Sequence, residues 1–247
     1  MLGIANALSV GMGGGGAPAF DPAAYGTVAW WLRGDDVTLN GSDIASWNDK
    51  SGNAKHYAQG TPAIQPAFVA SAINGQPGVD FAASAGEYLS GPNLSLDGFT
   101  ALETFIVMQL NADPPAAGGG GLWLVGVGSG GGDAIPFTTG KIYDGFGSSA
   151  RKTTVNPTPS MAAPCVYNVV STSGEWTNFL NGTQLYTTAT NTVGCRNAAS
   201  QLGASLSLAG YMDGVICEWL TFAQKLGATE KVAVKAYLSG RYGITLA

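Results

Sequence analysis

From Tyr25 onward the sequence breaks into short runs of β-branched and aromatic residues, separated by Gly, Pro, Asn and Asp at intervals of about 8 to 15 residues. Runs this short cannot bury themselves as helices, and their even spacing is that of a sandwich or barrel. Candidate strands cover 27–33 (TVAWWLR), 101–110 (ALETFIVMQL), 121–127 (GLWLVGV), 165–171 (CVYNVVS), 175–181 (EWTNFLN), 183–189 (TQLYTTA) and 215–222 (VICEWLTF). In 101–110, Thr104, Ile106, Met108 and Leu110 fall on one face and Phe105 and Val107 on the other. Apolar residues on both faces mark a central strand covered from both sides.

Local chemistry fixes two further elements. Asn181-Gly182, between two β-prone runs, supplies the positive-φ residues of a two-residue hairpin turn. Near the end, Thr229 is placed to cap a short amphipathic helix over 230–239, with Val234, Tyr237 and Leu238 as its apolar stripe and Gly240 and Gly243 as its stop. Two glycine-rich stretches, 114–121 and 128–133, flank the LWLV run as loops. No internal repeat is present.

The chain has 247 residues, which suits one all-β domain over 21–247 behind a glycine-rich arm over 1–20. The arm contains GMGGGGAP at 11–18, a composition that orders little apolar area by itself. Its apolar start, Leu2, Ile4, Leu8 and Val10, is the expected anchoring segment, ordering on a partner subunit; a simple disordered tail is the alternative. The first basic residue is Arg33, so the positive region of a secretory signal is missing. No run reaches the length of a membrane span.

Charged residues make up only 11%, and the net charge is −5 with 11 basic residues scattered along the chain, Arg151-Lys152 being the one adjacent pair. That excludes an electrostatic footprint for nucleic acid. A surface of neutral hydrogen-bonding groups suits packing against proteins or sugars instead. Cys165, Cys195 and Cys217 form no C-x-x-C pair, and His56 is the one histidine, so no zinc site is expected. They read as buried thiols, with a Cys165–Cys195 disulfide as the alternative. The N-x-S/T triplets at Asn40, Asn93 and Asn181 read as turns.

Several segments, in order, resemble laminin-G-like, concanavalin A-like jelly-roll domains of the kind found in bacterial surface proteins and bacteriophage virion proteins. The most specific is IASWNDKSGNAKHYAQ at 44–59, preceded by AWWLRGDDV at 29–37. INGQPGVDF at 73–81, EYLSG at 87–91, NFLNGTQLY at 178–186 and the ending at 214–243 follow. The resemblance implies an all-β fold, a two-sheet antiparallel β-sandwich of about six or seven strands per sheet with a short C-terminal helix behind an extended N-terminal arm. Many relatives bind glycans or calcium through variable loops, so no ligand residue carries over.

Chemistry gives weaker signals. Glycoside hydrolysis needs paired carboxylates on one face, whereas Asp35 and Asp36 point apart and Glu103 stands alone in an apolar run. His56 has no G-x-S-x-G serine to serve, and GVGSGG at 126–131 lacks the helix that a phosphate loop requires. Asp35, Asp36 and Asp49 are candidate Ca²⁺ ligands, against the alternative of turn bonding to their own backbone. Trp31 and Trp219 read as core, and Trp123, between glycine loops, is the candidate glycan-stacking platform, with a core position the alternative.

The resulting expectation is a non-enzymatic bacteriophage virion protein, a capsid decoration or a tail or fibre component. It would contact other virion proteins through its arm, sit in a homo-oligomer or larger assembly, and display a lectin-like sandwich to host cell-surface glycans. A carbohydrate-binding module of a bacterial cell surface is the alternative, and a glycoside hydrolase or lyase the third reading.

Overall fold

The computed structural model describes residues 20–115, 120–127 and 135–247. The expected anchoring residues Leu2, Ile4, Leu8 and Val10 lie outside them, as do most of the two glycine-rich stretches. In chain order the strands are β1 (Val28–Asn40), β2 (Asp43–Asp49), β3 (Tyr57–Ala58), β4 (Ala67–Ile73), β5 (Gln76–Phe81), β6 (Leu89–Asn93), β7 (Ala101–Leu110), β8 (Trp123–Leu124), β9 (Tyr143–Asp144), β10 (Lys152–Thr153), β11 (Cys165–Thr172), β12 (Glu175–Leu180), β13 (Thr183–Thr188), β14 (Ala199–Leu202) and β15 (Gly214–Phe222), and one helix follows, α1 (Ala228–Tyr242).

Hydrogen bonding runs β13-β12-β11-β7-β15-β5-β4-β2-β3-β6-β14-β8, with β1 joining β15 to β2; β9 and β10 pair separately. The path curls back on itself into a β-sandwich. Its first half contributes Ile106, Tyr167, Trp176 and Trp219, and its second half Trp47, Tyr57, Leu89 and Trp123, to one buried cluster. Both paired neighbours of β7 are antiparallel, β11 and β15. Leu102, Ile106, Met108 and Leu110 of β7 point into that cluster. Phe105 and Val107 point the other way and meet Val234, Leu238 and Tyr242 of α1. The expectation of a central strand covered on both faces holds, and α1 is the second cover.

The hairpin also forms as expected. Asn181 has φ 48° and Gly182 φ 82°, and Leu180 pairs with Thr183 across the turn. Elsewhere the boundaries move. The run 121–127 pairs only at Trp123–Leu124, while β1 continues past residue 33 to Asn40 by pairing with β2. The helix starts at Ala228 with Gly227 as its N-cap, so Thr229 lies inside the first turn and caps nothing. It runs through Gly240 to Tyr242, because Tyr242 is buried and bonded to Glu218, and it stops at Gly243 with φ 66°. All three thiols are free and buried, and burial pushes each up to about 12. The Cys165–Cys195 disulfide alternative is therefore not formed. Among the described residues, no helix is long and apolar enough to cross a membrane.

Candidate functional site

The segment WNDKSGNAKH at 47–56 folds into a turn organised by one carboxylate. Asp49 Oδ1 accepts from the backbone N–H of Trp31 at 2.8 Å and of Ser51 at 3.0 Å. Oδ2 accepts from the Ser51 hydroxyl at 2.7 Å and from the Lys55 N–H at 2.9 Å. The Asp49 N–H donates to His56 Nδ1 at 3.0 Å. With four donors on two oxygens, the side chain fixes the loop before any ligand arrives.

This turn presents Asn53 and Lys55 at the mouth of a groove of about 450 Å³. The Asn53 amide donates to the carbonyls of Val28 at 2.8 Å and Ala29 at 3.2 Å, stitching the turn to the start of β1. Lys55 Nζ lies 2.6 Å from Asp97 Oδ1 across the groove, so the two charges cancel where they meet. Thr27, Gly98, Phe99, Thr100 and Ala223 complete the lining. Gly98 has φ 63° with open space where a Cβ would sit, which lets the chain turn sharply into β7. Phe99 rests edge-on against buried Trp30, centroids 6.2 Å apart, and Leu96, two residues before Gly98, is 83% exposed. Apolar surface rimmed by an amide, a hydroxyl and a neutralised ion pair is the composition of a site for an uncharged polar ligand.

The structure places the residues singled out from the sequence as follows. Trp123 is fully buried, its indole N–H donating to Asp144 Oδ1 at 3.1 Å and its ring stacked on Trp219 at 5.8 Å and 19°. It has no face to offer a sugar, and its expected role as a stacking platform is corrected to a core role. Asp35 pairs with Arg33 at 2.7 Å and Arg241 at 3.5 Å, and Asp36 with Lys50 at 3.0 Å. Together with Asp49, whose oxygens face N–H and O–H donors, the three candidate Ca²⁺ ligands are engaged separately. Among the described residues no group of three His, Cys, Asp or Glu side chains converges on a metal position.

Among the described residues three carboxylates are fully buried: Glu103, Asp144 and Glu218. Glu103 bonds Lys231 Nζ at 2.9 Å and the Leu226 N–H at 2.9 Å. Glu218 accepts from Trp31 Nε1 at 2.6 Å, Tyr242 OH at 2.7 Å and Tyr237 OH at 3.0 Å. None of the three lines the groove. They serve the framework, joining sheet to helix and loop to core. Sequence reasoning found the Asp49 turn but missed Asp97, Phe99 and Thr100, which carry no motif and reach the groove only through the fold.

No protein-family model matches the sequence, and neither does any curated protein. The fold is similar to that of Trypanosoma rangeli sialidase in complex with 2,3-difluorosialic acid, with TM-score 0.58 and 12% identity over 86% of this chain and 33% of that one. The chain thus spans about a third of the sialidase's length. It is also similar to domain 4 of AbnA, a GH43 extracellular arabinanase from Geobacillus stearothermophilus, in complex with arabinotriose, with TM-score 0.53 and 11% identity over 85% of this chain and 99% of that one. At such identity the likeness is one of fold.

These likenesses correct one expectation. The chain was expected not to be an enzyme, yet the fold occurs within chains of enzymes, a sialidase and an arabinanase. The all-β context and the missing local carboxylate pair are therefore no ground for excluding catalysis.

Proposed function

We propose that this chain is a glycan-binding β-sandwich of the laminin-G-like type and that the groove between the Asp49 turn and Phe99 takes a neutral saccharide. The observation that carries the reading is the groove's own chemistry. The Phe99 ring offers apolar surface to a sugar's C–H face, Asn53 Oδ1 and the Thr100 hydroxyl offer hydrogen bonds, and the Lys55–Asp97 pair leaves no net charge to select an acid. The ordered resemblance over 27–243 and the carbohydrate-active neighbours support it.

The test is a glycan array run with and without EDTA, followed by calorimetry on the best neutral oligosaccharide. Phe99→Ala should weaken binding by about tenfold or more, equal to losing about 1.4 kcal/mol of contact. Thr187→Ala, on distant β13, should leave it unchanged. Loss of signal in EDTA would assign the binding to a bound cation. A hydrolase screen on the same glycans reports whether binding leads to cleavage. An array with no signal, or a Phe99→Ala protein that binds like the parent, sinks the assignment.

A further inference from the structure

We propose that the apolar segment 2–10 of this chain straps across the outer face of its own α1 and seats in the groove made by Val232, Ala236 and Leu246. Three observations lead there. Phe20, the first described residue, stacks on Tyr237 of α1 with centroids 3.8 Å apart and planes 5° apart, and on Tyr25 at 5.5 Å and 13°. The arm therefore joins the domain directly beside this helix, at a point held by two aromatic faces. On the far flank of α1 lies a groove of about 300 Å³, where Val232 is 66% exposed beside Ala236, Leu246 and the stem of Lys235. Lys235 donates to the carbonyl of Ala247, which holds the C-terminal residues against the helix as the groove's second wall.

Between the two flanks the helix surface carries Ala233 and Gly240, and a Cβ at Gly240 would meet nothing within 4 Å. A chain can cross there at close range. Val10 and Phe20 are ten positions apart, a reach of up to about 33 Å when extended. Half the circumference of a helix with its side chains is only about 16 to 19 Å. Residues 1–20 carry no charged side chain, so the segment matches the apolar groove and not the ion-paired surface around it. Tethering raises its effective concentration at the groove to about the millimolar range, so even a weak contact is populated.

The proposal places the segment on its own domain rather than on a partner subunit, and disulfide trapping in the full chain tests it. Leu8→Cys combined with Val232→Cys should form an intramolecular bond at least tenfold faster than Leu8→Cys combined with Val155→Cys, whose partner site is equally exposed but not on α1. The three native thiols are buried and do not compete. As a second readout, deleting residues 1–12 or introducing Val232→Asp should each raise amide exchange over 231–239 severalfold. Trapping no faster than the control pair, bonds formed mainly between chains, or unchanged exchange in the deletion would each overturn the strap.

Discussion

Glu218→Ala should lower folding stability by about 3 to 5 kcal/mol, the largest loss expected from any single change on the helix side of the sandwich. The side chain sits on β15, fully buried, with three donors aimed at it from two different elements: Trp31 from β1, and Tyr237 and Tyr242 from α1. Truncation leaves an indole N–H and two phenol O–H groups without their acceptor, each unsatisfied group costing about 1 to 3 kcal/mol. Arg241, 3.9 Å from the carboxylate and 3.5 Å from Asp35, loses one of its two counter-charges. Glu218→Gln keeps the volume and one acceptor, so its loss should be clearly smaller. Urea unfolding of the three proteins checks the order, and a Glu218→Ala protein within about 1 kcal/mol of the parent would show that α1 is held by its apolar stripe alone.

The same residue sets a pH dependence whose sign follows from its surroundings. Burial raises the Glu218 pKa above the ordinary value, and the bonds from Tyr242, Trp31 and Tyr237 with the nearby Arg241 pull it only part of the way back. Between the unfolded and folded pKa values the native state holds a proton that the unfolded chain has released. Stability contributed by this group is therefore full below the ordinary carboxylate range and falls as pH rises through the folded value. The advantage of the parent over Glu218→Gln should shrink over that window and be flat on either side. Unfolding midpoints measured for both proteins from about pH 4 to pH 8 give the comparison. A difference that grows with pH would reverse the assignment.

What the sequence made legible and what it hid divide along sequence distance. Asn181-Gly182 and the two-faced apolar run at 101–110 depend on residues within a few positions of each other, and both appear where expected. The helix ends went wrong because Thr229 is a competent cap but the backbone turn is already closed by Lys231 N–H on Gly227 C=O. Half of the groove was legible as a turn, since the bonds of Asp49 are nearly all local. The other half was not. Asp97 and Phe99 are ordinary residues until the fold brings them to Lys55, 42 positions from Asp97 in the chain. Trp123 misled for the same reason, because its glycine-rich neighbours imply exposure while its partner lies 21 residues away.

That partner supports the second large effect, in which Asp144→Ala should cost about 3 to 5 kcal/mol and loosen the aromatic core. Asp144 Oδ1 accepts from Trp123 Nε1 at 3.1 Å and from the Phe146 N–H at 2.8 Å, and Oδ2 accepts from Tyr167 OH at 2.8 Å. Asn178 in turn donates to the Tyr167 oxygen at 2.8 Å, so one carboxylate orders a chain of four polar groups inside an apolar cluster. Trp123→Phe removes the indole N–H and with it part of the need for an acceptor. Combined with Asp144→Ala it should therefore cost less than the two single losses added, with a coupling of about 1 to 3 kcal/mol. Additive losses would mean that the carboxylate and the indole act independently. The effect should also reach the groove, because the rings run in contact from Trp123 to Phe146 at 4.8 Å, Phe146 to Trp30 at 6.4 Å and Trp30 to Phe99 at 6.2 Å. Asp144→Ala should thus weaken saccharide binding as well as stability, while Phe99→Ala, at the half-buried outer end of the same row, should weaken binding and cost no more than about 1 to 2 kcal/mol of stability.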